Sequence, residues 1–134
     1  MKKGLLAILL GLMMVGCKPP VIFPTHTLMV DKDQMSTVPG VLVEQPYGVI
    51  TLSFSDEIDE SVLQNLRLVD YTDPVPTVLP KSSIAGVSFT LDPNDEEQVL
   101  LDCSKLKSSE PRAVTLAYEN EEQFVTAHMM LVPD

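Results

Sequence analysis

Hydrophobic and polar residues alternate along much of the chain after residue 49. In residues 50–54, Ile50, Leu52 and Phe54 are separated by Thr51 and Ser53. Successive side chains of a β-strand point to opposite faces of the sheet, so this alternation predicts a strand with one buried face. We expect the same structure where the pattern recurs, in residues 66–68, 87–91, 99–103, 114–118 and 124–131.

Turn-forming residues separate these runs. Clusters of proline, aspartate, asparagine and serine stand in residues 73–76, 92–95 and 108–111 and are typical of the ends of strands. Residues 59–64 are an exception, since they can form one helical turn. About seven short strands without a sustained 3.6-residue period predict an all-β fold, a small antiparallel β-sandwich with one face of each sheet in the core.

The N-terminus has a different pattern, in which Lys2 and Lys3 precede an apolar stretch in residues 5–15. Roughly 11 apolar residues form the core of a signal peptide and are too few to span a ~30 Å hydrocarbon layer as a stable anchor. We therefore expect residues 1–16 to form an N-terminal signal helix that is removed on export.

This stretch ends in Met14, Val15, Gly16 and Cys17, which resembles the lipobox of bacterial lipoproteins. That family prefers leucine where this chain has Met14, a side chain of similar volume. The resemblance implies cleavage between Gly16 and Cys17 and attachment of a diacylglycerol to the Cys17 sulfur. Since two or more acyl chains give stable membrane attachment, it predicts a lipid-anchored protein. An ordinary signal peptide with an incidental cysteine is the alternative.

The residues after Cys17 predict where the protein is anchored and how far its domain reaches. Lys18 and Pro19 follow Cys17, whereas aspartate at the first of these positions retains enterobacterial lipoproteins in the inner membrane. By this resemblance we expect the outer membrane, with the periplasmic or surface face left open. Residues 17–27 contain three prolines and predict an extended tether of ~3 Å per residue. Residues 28–134, roughly 107 in number, suit one domain.

The charge of the chain excludes some partners. Acidic residues outnumber basic ones by 19 to 9, for a formal net charge of −10. Loss of Lys2 and Lys3 with the signal peptide makes this −12, because seven basic residues remain. Nucleic acids and anionic lipid headgroups are bound by clustered lysine and arginine, so we expect neither as a partner.

Part of the chain resembles the bacterial immunoglobulin-like domains of S-layer proteins. The similarity is carried by residues 50–59 (ITLSFSDEID), 66–70 (LRLVD) and 87–93 (VSFTLDP), and it covers about half of the chain, from residue 50 to residue 118. It implies an Ig-like β-sandwich that is a non-catalytic spacer or adhesion module. Whereas that family usually occurs in tandem, we expect a single domain on a lipid anchor here.

Residues with catalytic potential are few. The two histidines, His26 and His128, lie in the predicted tether and in the last strand, and neither has a second histidine at metal-ligand spacing. The chain contains neither a Gly-x-Ser-x-Gly nucleophile elbow nor a glycine-rich phosphate loop. We therefore expect no enzymatic activity and no resident cofactor.

Cys103 is the cysteine that remains if Cys17 is lipidated. It alternates with Val99 and Leu101, which predicts a buried, inert thiol. An intermolecular disulfide in an oxidising compartment is the alternative.

Three acidic clusters stand in residues 56–60, 92–97 and 119–122. Calcium prefers six to eight oxygen ligands, which carboxylates on sandwich loops can supply. Asp92, Asn94, Asp95 and Glu97 are the candidate calcium ligands, although their spacing is not that of an EF-hand. Solvated acidic turns are the alternative interpretation.

Two classes of function remain. The first is a structural or protein-interaction lipoprotein that docks to another envelope protein as an adapter, assembly factor or surface subunit. It predicts an exposed apolar patch or an open sheet edge. The second is a small ion- or ligand-binding lipoprotein, which predicts a concave pocket with a few inward polar groups.

Overall fold

The computed structural model describes residues 26–72 and 78–134. The predicted signal peptide, the predicted cleavage site at Gly16 and Cys17, and residues 18–25 of the predicted tether lie outside this part of the chain. Two short 3₁₀ helices, Glu60–Asn65 and Ser104–Leu106, and eight strands form within it. The strands are β1 (Leu28–Met29), β2 (Val43–Pro46), β3 (Val49–Phe54), β4 (Leu66–Asp70), β5 (Ser88–Leu91), β6 (Gln98–Asp102), β7 (Arg112–Glu119) and β8 (Phe124–Val132).

The strands form two four-stranded sheets. The order is β1-β3-β6-β5 in the first sheet and β2-β8-β7-β4 in the second. All neighbours are antiparallel except β2 and β8, which are parallel. If β2 is set aside, the other seven strands, lettered A to G in chain order, reproduce the A-B-E-D and G-F-C sheets of an immunoglobulin constant-type domain. The prediction of an all-β antiparallel sandwich is confirmed, with β2 as an additional strand.

The core lies between the two sheets and is built from the alternating apolar positions. Leu52 and Phe54 of β3 and Leu116 and Tyr118 of β7 are fully or almost fully buried. The rings of Phe54 and Tyr118 meet edge to face, with centroids 5.4 Å apart, a geometry that aromatic pairs prefer. Cys103 also belongs to this core, as the alternation predicted.

The chain joins the sandwich two residues before the predicted start of the domain. The carbonyl oxygen of His26 accepts a hydrogen bond of 2.7 Å from the hydroxyl group of Tyr118. The carbonyl oxygen of Thr27 accepts one of 3.0 Å from the backbone N–H of Ser55. The last two residues of the predicted tether are thus attached to the sandwich.

Strand β1 is short because the chain crosses from one sheet to the other. It pairs with Phe54 and Ser53 of β3 and ends at Met29. Residues 30–42 then cross to the second sheet, where β2 runs beside β8. This connection contains the candidate site.

Candidate protein-docking site

A rigid turn displays two valines to solvent on the connection between β1 and β2. In the turn Val38-Pro39-Gly40-Val41, hereafter the valine turn, the N–H of Val41 donates to the carbonyl oxygen of Val38 at 3.1 Å. Gly40 has φ +87°, a conformation that favours glycine. The ring of Pro39 restricts the φ of Pro39 itself, which is the residue before Gly40. Val38 is 56% and Val41 48% exposed.

The valine turn borders an apolar hollow of about 280 Å³. Val30 and Val43 contribute to its walls together with buried Met35, and Lys32 is the one titratable side chain among its lining residues. We call the valine turn and this hollow the valine surface. It offers apolar contact area with a single positive charge.

Local hydrogen bonds hold the chain that leads into the valine turn. The carboxylate of Asp31 accepts from the N–H of Asp33 at 2.8 Å, and its carbonyl oxygen accepts from the N–H of Met35 at 3.0 Å. The hydroxyl oxygen of Ser36 accepts from the N–H of Val38 at 3.0 Å. Such side-chain bonds to nearby backbone favour turns over regular structure.

Two further contacts attach the valine turn to the second sheet. Ser36 and His128 exchange both of their backbone hydrogen bonds, at 3.0 and 2.7 Å. The N–H of Gly40 donates to the hydroxyl oxygen of Tyr71 at 2.8 Å. The Tyr71 ring in turn packs edge to face on the His128 imidazole, with centroids 5.2 Å apart. His128 therefore takes part in both attachments, through its backbone to Ser36 and through its ring to Tyr71.

His128 lies on the outer face of the second sheet, since its neighbours Ala127 and Met129 face the core, yet it is fully buried. Its Nδ1 is 2.9 Å from the hydroxyl oxygen of Thr115, which is also buried. Its Nε2 has no hydrogen-bond partner among the described residues. Burial lowers the pKa of His128 from its ordinary value. The imidazole is consequently held in its neutral form near pH 7.

The proposed calcium ligands occupy the tight turn between β5 and β6. The carboxylate of Asp92 accepts from the N–H of Asn94 at 2.8 Å, and that of Asp95 accepts from the N–H of Glu97 at 2.9 Å. Each aspartate carboxylate thus stabilises the turn in which it lies. Within residues 26–72 and 78–134, no three acidic, histidine or cysteine side chains are grouped so that they could hold a metal ion. Calcium binding stays a prediction.

The structure does bring the three acidic clusters to one end of the sandwich. The N–H of Ile58 donates to the carbonyl oxygen of Glu96 at 2.9 Å, which joins the first two clusters. The third follows Tyr118, whose ring packs on Phe54 at that same end. We call this end of the sandwich, with its three clusters, the acidic end. It carries 11 of the 19 acidic residues, namely Asp56, Glu57, Asp59, Glu60, Asp92, Asp95, Glu96, Glu97, Glu119, Glu121 and Glu122.

The remaining candidates do not come together. His26 lies at the acidic end near Asp59. Hydrogen bonds from Ser61 are the main cause that lowers the pKa of the Asp59 carboxyl, and His26 contributes less. His128 lies away from it, in the middle of β8. Cys103 is fully buried, and burial raises the pKa of its thiol to about 11. The interpretation of Cys103 as a buried thiol is confirmed.

Reasoning from the sequence missed the valine surface and Tyr71. A Pro-Gly pair between two valines is a turn signal that could have marked residues 38–41. No local pattern could have marked Tyr71, because it bonds to a residue 31 positions away.

In the part of the chain that the structure describes, no helix has the length and hydrophobicity needed to cross a membrane. Comparisons of the chain with protein-family models, with curated proteins and with solved structures found no match.

Proposed function

We propose that the chain is the precursor of a membrane-anchored envelope lipoprotein, and that its sandwich is a non-catalytic protein-interaction module that docks through the valine surface. The observation that carries this proposal is a pair of exposed valines on a turn that hydrogen bonds hold in one conformation. The module would serve as an adapter, an assembly factor or a surface subunit.

Preorganisation is the physical reason to connect the valine turn with binding. Exposed apolar side chains gain free energy when a partner removes them from water, at roughly 25 cal/mol per Å². A mobile loop loses much of that gain when it becomes ordered. The valine turn is already ordered, so a partner with a complementary apolar surface gains most of the contact energy.

The anchor is supported by the lipobox resemblance at Met14 to Cys17 and by the place where the chain meets the sandwich. Residues 17–25 separate the proposed lipid from His26 and, if extended, reach about 27 Å. The acidic end would face the membrane, and the valine surface would lie on the side of the domain. Lys18 and Pro19 favour the outer membrane, on either of its faces.

The test is capture of partners from cross-linked envelopes with the lipidated protein as bait. We compare the unmodified protein, a Val38→Ser and Val41→Ser double variant, and a Val78→Ser control, since Val78 is 78% exposed but lies outside the valine surface. We expect a partner that the control retains and the double variant loses. A Cys17→Ser variant should lose membrane attachment. Equal capture by all the valine variants would contradict docking at this surface.

The alternative function is ion binding, with calcium held by the acidic end. The observation in its favour is that three acidic clusters lie at one end of the sandwich. Calcium and magnesium at equal ionic strength both screen repulsion between the carboxylates, whereas a specific site prefers one ion. A melting temperature that rises with calcium but not with magnesium, and no longer rises in an Asp92→Asn and Asp95→Asn variant, would favour ion binding.

A further inference from the structure

We propose that His128 is a pH-sensitive latch, which holds the valine turn in place while its imidazole is neutral and releases it when the imidazole is protonated. This inference rests on the proposed docking function, because it concerns the regulation of that surface. The latch itself is a property of the fold and can be measured without any partner.

The hydrogen bonding of the imidazole differs between its neutral and its protonated forms. One ring nitrogen, Nδ1, lies 2.9 Å from the Thr115 hydroxyl oxygen, and the other, Nε2, is buried without a partner among the described residues. A neutral imidazole has one donor and one acceptor, but a protonated one has two donors. When a proton from water adds to the ring, Nδ1–H can donate to Thr115, whereas Nε2–H has no acceptor. The charged ring is then stable only if water reaches Nε2.

Water can reach the ring in two ways, by opening of the sheet or by displacement of Tyr71. His128 pairs with Thr115 in the longest strand pairing of the second sheet, which would have to separate if the whole strand moved. Tyr71 contacts the imidazole from beyond the end of β4 and is only partly buried. Displacement of Tyr71 therefore hydrates His128 at a lower cost than the opening of the sheet.

A hydrogen bond connects Tyr71 to the valine turn. The Tyr71 hydroxyl oxygen accepts the N–H of Gly40, and the neighbouring Ser36 is bonded to the backbone of His128. When Tyr71 moves away, Gly40 loses its partner and the valine turn loses one of its two attachments. A turn that is no longer held in one conformation binds its partner less tightly.

Other groups around His128 do not replace the missing acceptor. The Tyr71 ring can attract an imidazolium through its face, but this attraction is smaller than the cost of burying a charge without a hydrogen-bond acceptor. Burial, and not a nearby charge, is what lowers the pKa of His128. The titratable and charged side chains on the surrounding elements form two ion pairs, Arg67 of β4 with Glu119 of β7 and Arg112 of β7 with Asp70 of β4. The others are Tyr71 itself, Glu44 of β2, Tyr118 of β7, and Asp31, Lys32 and Asp33 of the β1–β2 connection.

The test is amide hydrogen exchange, followed by NMR on the full processed chain between pH 5 and pH 8. The protection factor of the Gly40 N–H is corrected for the intrinsic effect of pH on exchange. As the pH falls below 6.5, the ordinary pKa of histidine, this factor should decrease. The decrease should be up to about tenfold per pH unit, because one proton is taken up. A His128→Gln variant should lose this dependence. The chain has two histidines, so His26→Gln is a matched control that should keep it.

A Tyr71→Phe variant checks the connection. It should abolish protection of Gly40 at every pH while Ser36, bonded to His128, stays protected. The latch is overturned if His128→Gln shows the same pH dependence as the unmodified chain. Should that variant fail to fold, the NMR titration of the unmodified chain decides: a His128 midpoint at or above 6.5 overturns the latch. Failure to capture a partner would instead count against docking and leave this result unchanged.

Discussion

The hydroxyl group of Tyr118 donates a 2.7 Å hydrogen bond to the carbonyl oxygen of His26, which lies 92 positions earlier in the chain. The Tyr118 ring is fully buried in the core against Phe54. The point where the chain joins the sandwich is thereby attached directly to the core. If Cys17 is lipidated, any pull from the membrane acts on this contact.

Replacement of Tyr118 by phenylalanine should destabilise the domain by about 1–3 kcal/mol. The ring packing is kept, but the carbonyl oxygen of His26 and the side-chain amide of Asn120 lose their partner. Urea unfolding should show a lower midpoint at unchanged slope. A Tyr118→Leu variant should cost more, since it also removes the ring contact with Phe54. A phenylalanine variant as stable as the unmodified protein would show that the attachment to His26 contributes nothing.

Acid should weaken the fold over a window assigned to His128. The pKa of His128 is lowered in the folded state, so below pH 6.5 the unfolded chain binds more protons than the folded one. The free energy of unfolding therefore decreases as the pH is lowered, by up to about 1.4 kcal/mol per pH unit. The carboxyls of Asp59 and Asp102 also have lowered pKa values, but their contribution is present above their ordinary pKa of 3.8 and is lost only below it. Denaturant titrations between pH 5 and 8 therefore isolate His128. A dependence that survives in His128→Gln would refute the assignment.

Cys103 should be unreactive in the folded protein. Burial raises the pKa of its thiol to about 11, so only about one thiol in a thousand is ionised at pH 8. A thiol reagent should modify it at the rate of unfolding in buffer and rapidly in denaturant.

The denatured, processed chain should yield one titratable thiol, because the sulfur of Cys17 would be a thioether. Two thiols would contradict lipidation.

Much of the fold could be predicted because alternation determines which positions face the core. Strands β3 to β8 all lie on runs that alternate in the sequence, and the helical turn expected at residues 59–64 appears as the 3₁₀ helix Glu60–Asn65. Asp59 caps that helix by accepting from the N–H of Ser61. These features depend on neighbours in the sequence, which a local pattern can describe.

The additional strand and the candidate site depend on contacts between distant parts of the chain. Strand β2 is four residues long and ends in Pro46, which no local rule favours in a strand, and it exists because β8 lies beside it. Alternation in β8 separates His128 from the core residues Ala127 and Met129, but it gives no sign that Tyr71 and the valine turn lie over the outer face. Long-range contacts of this kind leave no period in the sequence.

That the valine surface is where this protein meets a partner is tested most directly by photo-cross-linking. A photoreactive amino acid is placed at Val41, within the surface, or at Val78, which is exposed outside it, in the lipidated protein in intact envelopes. We predict a discrete cross-linked product from position 41 that is absent from position 78 and is diminished by Val38→Ser. No product from position 41, or the same products from both positions, would contradict the claim.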